Sequence, residues 1–215
     1  MTTGRRWGIL FMSHNMYHDH INSYLDEVGI IAAKLDREEI NKMIGILKNV
    51  RDEKGRLFIL GVGGGAGHAG HAVNDFRKLA AMEAYAPTDN VSELTARTND
   101  DGFHTVFANW LIGSNLNEKD AVMVFSVGGG SVEKNVSTNI VEALKLAKNV
   151  GAKVVGIVGR DGGFTRQAAG FCILIPIARA ERITPHTEGL CAVLWHLLVS
   201  HPVLQRTATK WESVK

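Results

Sequence analysis

Three short apolar runs pass directly into glycine and then into a helical pattern, which leaves the chain few folds to choose from. RLFILGV from Arg56 leads to Gly63, Gly64 and Gly65, DAVMVFSV from Asp120 to Gly128, Gly129 and Gly130, and AKVVGIVG from Ala152 to Gly162 and Gly163. An apolar run without polar alternation suits a strand buried on both faces, as in a parallel sheet. MEAYAPT and FCILIPI read as two further strands. Between the strands lie the helical stretches HAVNDFRKLAAM, DGFHTVFANWLIG, TNIVEALKLAKNVG and GFTRQAA, and TPHTEGLCAVLWHLLVSHP closes the series. In the closing helix Thr184 is the expected N-cap, with Pro185 at the first helical position. Strands alternating with helices predict an α/β fold with a doubly wound parallel sheet flanked by helices.

Residues 1–55 are read as an N-terminal helical pair. Ile21, Tyr24, Leu25, Val28, Ile31 and Leu35 follow helical spacing, as do Ile40, Met43, Ile44, Leu47 and Val50 after the acidic LDREE start. Such a hairpin needs another surface over its apolar stripe, and a second subunit is one candidate. The 215 residues suit one domain, with this hairpin preceding a core over residues 56–215. Glycine is in excess at 23 residues and proline is scarce at four, so the glycines are expected at tight turns or close approaches rather than in a linker.

A net charge of +2 is too small for a nucleic-acid footprint. Cys172 and Cys191 lie in apolar runs and read as small buried hydrophobes. No run approaches the ~18 apolar residues of a membrane span, and the opening MTTGRRWGILFMSHNMYHDH has no secretion-leader pattern. The expectation is a cytoplasmic protein.

The glycine clusters fall where ligands bind in open α/β sheets, beyond the carboxyl ends of the strands. Free amides and a helix N-terminus there favour an anion. The first cluster contains G-x-G-x-x-G at Gly65, Gly67 and Gly70, a weak dinucleotide signal without a clean acidic residue after the next strand. In the second, Ser126 and Ser131 set two hydroxyls around Gly128, Gly129 and Gly130, a combination suited to a phosphomonoester.

GVGGGAGHAGHAVNDF, NVSELTARTNDDGF, SVGGGS and GRDGG together resemble the sugar isomerase (SIS) domain family, and within it the phosphoheptose isomerases. The resemblance runs from about Leu25 to His201. It implies aldose–ketose isomerisation of sedoheptulose 7-phosphate to D-glycero-D-manno-heptose 7-phosphate, with sites at the subunit interfaces of a homotetramer. It implies a sugar phosphate as the partner molecule, no organic cofactor, and zinc as a candidate ion.

Isomerisation through an enediol needs one group to move a proton between neighbouring carbons and another to serve the oxygens. The resemblance places Asp75 where the family has a glutamate base, and His71 four residues before it where the family has a histidine. In some members these two positions and two closing-helix residues bind zinc. This chain departs from the family on the closing helix, where Thr184 stands for the family's glutamine and Ala192 for its histidine. His186 and Glu188 are therefore the candidate replacements as acid, base or ligand, and His71, Asp75 and Glu188 form the candidate metal set. His68 lies on the same side as His71, nearer the loop. His196 and His201 are read as packing and helix-end residues.

The substrate candidates are Gly63 and Gly64 in the first loop, the loop from Ser126 to Ser131, and Asn90, Ser92, Asn99, Asp100, Asp161 and Thr184. The family loop reads Ser-Thr-Ser-Gly-Asn-Ser, so Val127 and Gly128 cost this chain two polar side chains. A lengthening after the loop offers Lys134 or Asn135 instead. A non-catalytic protein that senses a sugar phosphate or serves as a scaffold is the alternative, since the family's glutamine and histidine are missing. A nucleotide-dependent oxidoreductase is disfavoured by the serines of the second loop.

Overall fold

A computed structural model describes residues 14–210, with side chains from residue 18. The expectation of no leader rests on the opening residues, most of which lie outside the described ones. Helices α1 (His14–Lys34) and α2 (Arg37–Asp52) precede strand β1 (Arg56–Gly61). Then follow α3 (Gly64–Lys78), β2 (Glu83–Tyr85), α4 (Val91–Asp101), α5 (Val106–Gly113), β3 (Ala121–Ser126) and α6 (Thr138–Asn149). The chain continues through β4 (Lys153–Val158), α7 (Gly163–Ala168), β5 (Phe171–Leu174) and α8 (Ile183–Ser200). The five strands pair in parallel in the order β2-β1-β3-β4-β5, the doubly wound sheet expected from the apolar runs.

Strands β1, β3 and β4 feed two cores by their alternation. Leu57, Ile59, Met123, Phe125 and Ile157 pack under α1, α2, α3 and α8, whereas Phe58, Leu60, Val122, Val124 and Val154 pack under α5 and α6. Burial on both faces explains why these strands read as unbroken apolar runs. At the amino edge of the sheet, buried Asp120 accepts from Arg56 Nη2 at 2.7 Å and from the Arg56 backbone at 2.9 Å, tying β1 to β3.

Two local details differ from the sequence reading. The stretch after β2, to which no helix is assigned there, is helix α4, capped by Asn90 Oδ1 accepting from Glu93 N–H at 3.2 Å. No α4 residue is buried, so its apolar signal was too thin to see. The closing helix starts at Ile183 after a 3-10 turn over 180–182, and Thr184 lies inside it rather than capping it. Pro185 still sits in the first turn, where its missing N–H costs no helical bond.

Cover on the leading hairpin is uneven. Ile40, Met43, Ile44, Leu47 and Val50 of α2 are buried, but on α1 Ile21 is 53% and Leu25 63% exposed.

Candidate active site

Beyond the carboxyl ends of β1 and β3, where the strand order reverses, lies a cleft of about 680 Å3. One wall is the turn that follows β3. There Ser126 Oγ accepts from Gly129 N–H at 3.0 Å and Ser131 Oγ from Lys134 N–H at 3.2 Å. A hydroxyl that accepts in this way keeps its proton for an anion.

The turn after β4 holds this loop in place. Phe164 and Thr165 N–H donate to the carbonyls of Gly130 and Gly129 at 2.8 and 2.9 Å, and the Thr165 hydroxyl donates to Gly129 O at 2.7 Å. So close a contact requires glycine: Gly129 has φ +70°, and a Cβ there would strike Gly162 O. Asp161 lines the cleft and accepts from Gly163 N–H at 3.2 Å.

The opposite wall is the start of α8, where Thr184, Thr187, Glu188 and Cys191 follow one helical face. The Glu188 carboxylate lies over the start of α3, so near that a Cβ built on Gly64 would be 2.5 Å from its Oε1. The N-terminus of α3 favours a negative charge there. His68, in the second turn of α3, faces the same cleft. A carboxylate and an imidazole thus share the cleft with the hydroxyl-bearing loop.

Several expected residues lie elsewhere. His71 and Asp75 do not line the cleft, because α3 runs away from the sheet edge and carries them along α8. Asp75 Oδ2 is 3.7 Å from His71 Nε2 and 3.8 Å from His196 Nε2, and the ligating atoms of all three lie within 4.8 Å of one another. Two imidazoles and a carboxylate at that separation are close enough to hold one metal ion. The third member of this group is His196, not Glu188. His196 was read as packing, yet it lies one turn beyond Ala192 and is half exposed.

His186 is turned away from the cleft. It is buried at 3% exposure, and its Nε2 is 2.8 Å from Glu27 Oε2 on α1. Glu27 also pairs with Arg179 Nε at 2.9 Å and Arg182 Nη1 at 3.2 Å. The His186 hydrogen bond, with both guanidiniums beside it, holds the Glu27 carboxyl below the usual carboxylate range. Nothing in the sequence spacing marked Glu27, whose partners lie more than 150 positions away.

Ser92, Asn99 and Asp100 ride on α4 outside this cleft, with Asn90 as its cap. Gly63 and Gly64 shape the turn into α3 rather than lining the cleft, and Gly63 has φ +59°. Lys134 lines the cleft and Asn135 does not. Arg160, Gln167 and Thr187 also line it and were not anticipated. Thr187 stands three residues after Thr184, so helical spacing could have found it.

Known proteins resemble this chain in sequence and in fold. The SIS domain family model matches residues 17–159. The chain is 33% identical over 193 residues to the lincomycin biosynthesis protein LmbN of Streptomyces lincolnensis, covering 84% of this chain and 68% of that protein. It is 30% identical over 173 residues to the phosphoheptose isomerase of Geobacter sulfurreducens, covering 77% and 88%. The phosphoheptose isomerase GmhA of Neisseria gonorrhoeae has the same fold, with a TM-score of 0.73 at 23% identity over 85% of this chain and 97% of that one. The chain belongs to the SIS domain family.

Proposed function

We propose that the chain is a sugar-phosphate aldose–ketose isomerase, converting sedoheptulose 7-phosphate to D-glycero-D-manno-heptose 7-phosphate. The observation that carries this reading is a single cleft pairing the Ser126–Ser131 loop with the Glu188 carboxylate and the His68 imidazole. The relative from Geobacter sulfurreducens, a phosphoheptose isomerase, supports the substrate.

The Gly128 and Gly130 amides and the Ser126 and Ser131 hydroxyls receive the phosphate, with Lys134 and Arg160 adding positive charge at the rim. That anchors one end of the sugar and leaves the other beside Glu188. Glu188 takes a proton from C1 of the ketose while His68 gives one to the C2 oxygen, forming the enediol. Glu188 then returns its proton to C2, and His68 recovers one from the C1 hydroxyl, which leaves the aldose and both side chains in their starting states. Glu188 thereby takes the proton-moving role that the family pattern gives to Asp75.

His71, Asp75 and His196 would hold zinc, which their nitrogen and carboxylate donors suit. Outside the lining of the cleft, zinc there would tie α3 to α8 rather than polarise the bound sugar. Among the described residues no helix is long and apolar enough to cross a membrane, and the reading places the enzyme in the cytoplasm.

The assembly is proposed to be a homotetramer. Exposed Ile21 and Leu25 on α1, and an α4 without one buried residue, leave faces for neighbouring copies. Asn90, Ser92, Asn99 and Asp100 are then available to a neighbour's cleft. Conversion of the ketose by the wild-type chain, and its loss in Glu188→Gln, tests the catalytic reading.

A further inference from the structure

The entry into α8 lacks the supports that usually hold a helix start. Residues 176–185 include no buried position, and Arg182, at the N-cap, makes no capping hydrogen bond with its side chain. Yet this stretch leads straight into Thr184, Thr187 and Glu188, which form one wall of the cleft.

What holds it is α1. Glu27, itself 6% exposed, receives Arg179 at 2.9 Å, Arg182 at 3.2 Å and His186 at 2.8 Å. Around this carboxylate, Arg182 also donates to Ser23 Oγ at 3.0 Å, and the Tyr24 ring packs 4.4 Å from His186. Burying a carboxylate is costly unless every partner is in place, so such a hub defines geometry more than it adds stability.

Helical spacing carries that geometry to the cleft. His186 and Glu188 are two residues apart, on opposed faces of α8, so anchoring one face orients the other. We propose that Glu27 is a positioning residue: through Arg179, Arg182 and His186 it sets the first turns of α8 and so aims Glu188 and Thr184 into the cleft. This rests on the assignment of Glu188 to proton transfer. The loop after β3 lies on a different element and is held by Phe164 and Thr165 rather than by Glu27.

The test compares Glu27→Ala, Glu27→Gln and His186→Gln with the wild type, each as the full chain. Gln at 186 keeps a nitrogen donor for Glu27, and Gln at 27 keeps the shape without the charge. Three quantities are read: kcat and KM for sedoheptulose 7-phosphate, the dissociation constant of inorganic phosphate, and amide hydrogen exchange over residues 179–190. For Glu27→Ala the expected result is a kcat lower by on the order of 10- to 100-fold. Phosphate affinity should stay within about twofold of wild type. Exchange should rise about tenfold at 179–190 and not at 126–131. His186→Gln, which leaves Glu27 a nitrogen donor, should keep most of the wild-type kcat.

Unchanged kcat per folded molecule would overturn the proposal. So would kcat, phosphate affinity and exchange protection declining together across the chain, since that is the behaviour of a purely structural ion pair. If Glu27→Ala does not fold, Glu27→Gln is read against the same criteria. Should the wild type itself not turn over the ketose, the proposed function fails, and the location of the exchange increase alone decides whether Glu27 positions α8.

Discussion

Nε2 of His196 lies 3.8 Å from Oδ2 of Asp75 on the helix alongside. Because α3 and α8 lie side by side, a histidine one turn beyond Ala192 meets the acid that Ala192 itself cannot serve. With His71 it forms a three-donor group outside the lining of the cleft. Zinc titrated against a chromophoric chelator should therefore bind the wild type. His196→Ala and His71→Ala should each weaken it by more than the ~10–100-fold that losing an outer partner of a metal site costs. Glu188→Gln should leave zinc affinity unchanged. Loss of zinc affinity in Glu188→Gln and His71→Ala but not in His196→Ala would return the site to the set expected from the sequence.

Phosphate recognition should depend on the hydroxyls of the glycine loop. A hydrogen bond to a charged group is worth roughly 1.5–3 kcal/mol, so Ser131→Ala should raise KM for the sugar phosphate by about 10- to 100-fold. Its kcat should change far less, since Ser131 is remote from the reacting carbons. Ser126→Ala should also loosen the loop, because Ser126 Oγ accepts from Gly129 N–H. A KM for Ser131→Ala equal to that of wild type would remove this loop from substrate binding.

Acid should loosen α1. The Glu27 carboxyl is held below its ordinary value of 4.5, first by the His186 hydrogen bond and then by Arg182 and Arg179. A lowered carboxyl contributes stability that is present above the unfolded value and is lost as pH falls through the folded one. The groups facing it are Arg179, Arg182 and His186, with His20 beside Arg182. The urea midpoint should decline as pH drops below the ordinary carboxyl value of 4.5. Glu27→Gln should decline less steeply over that window. Identical slopes would show that other carboxylates account for the acid sensitivity.

Neither cysteine should react in the folded chain. Burial pushes the thiols of Cys172 and Cys191 up to about 12, with the Glu188 charge adding at Cys191. At pH 8 the thiolate fraction is then roughly one in ten thousand. Iodoacetamide should label both residues in denaturant and neither before it. Fast native labelling of Cys191, which borders the cleft, would mean that the start of α8 opens in solution.

The sheet was largely legible because its strands are buried on both faces and advertise themselves as apolar runs closed by glycine. The glycine loop after β3 was legible for the same reason. Helix α4 was not, since Leu94 packs partly against one core while charged and hydroxyl residues surround it. His186 was misplaced although helical geometry argued against it. Thr184, Glu188 and Ala192 repeat every four residues on one face, and His186 is about 200° from Thr184. His196 continues the Glu188 and Ala192 face and could have been found from that spacing. Glu27 was beyond reach, because a lone acid on the inner face of α1 acquires meaning only when residues more than 150 positions later fold back on it.

Proton transfer by Glu188 is tested most directly by turnover of sedoheptulose 7-phosphate followed by aldose formation, with wild-type and Glu188→Gln chains in parallel. Wild type should convert the ketose, and Glu188→Gln should lower kcat by about 10²–10⁴-fold, the range for losing a general acid or base. Absence of conversion by the wild type, with the sugar phosphate still bound, would contradict that role and make the chain a sugar-phosphate sensor.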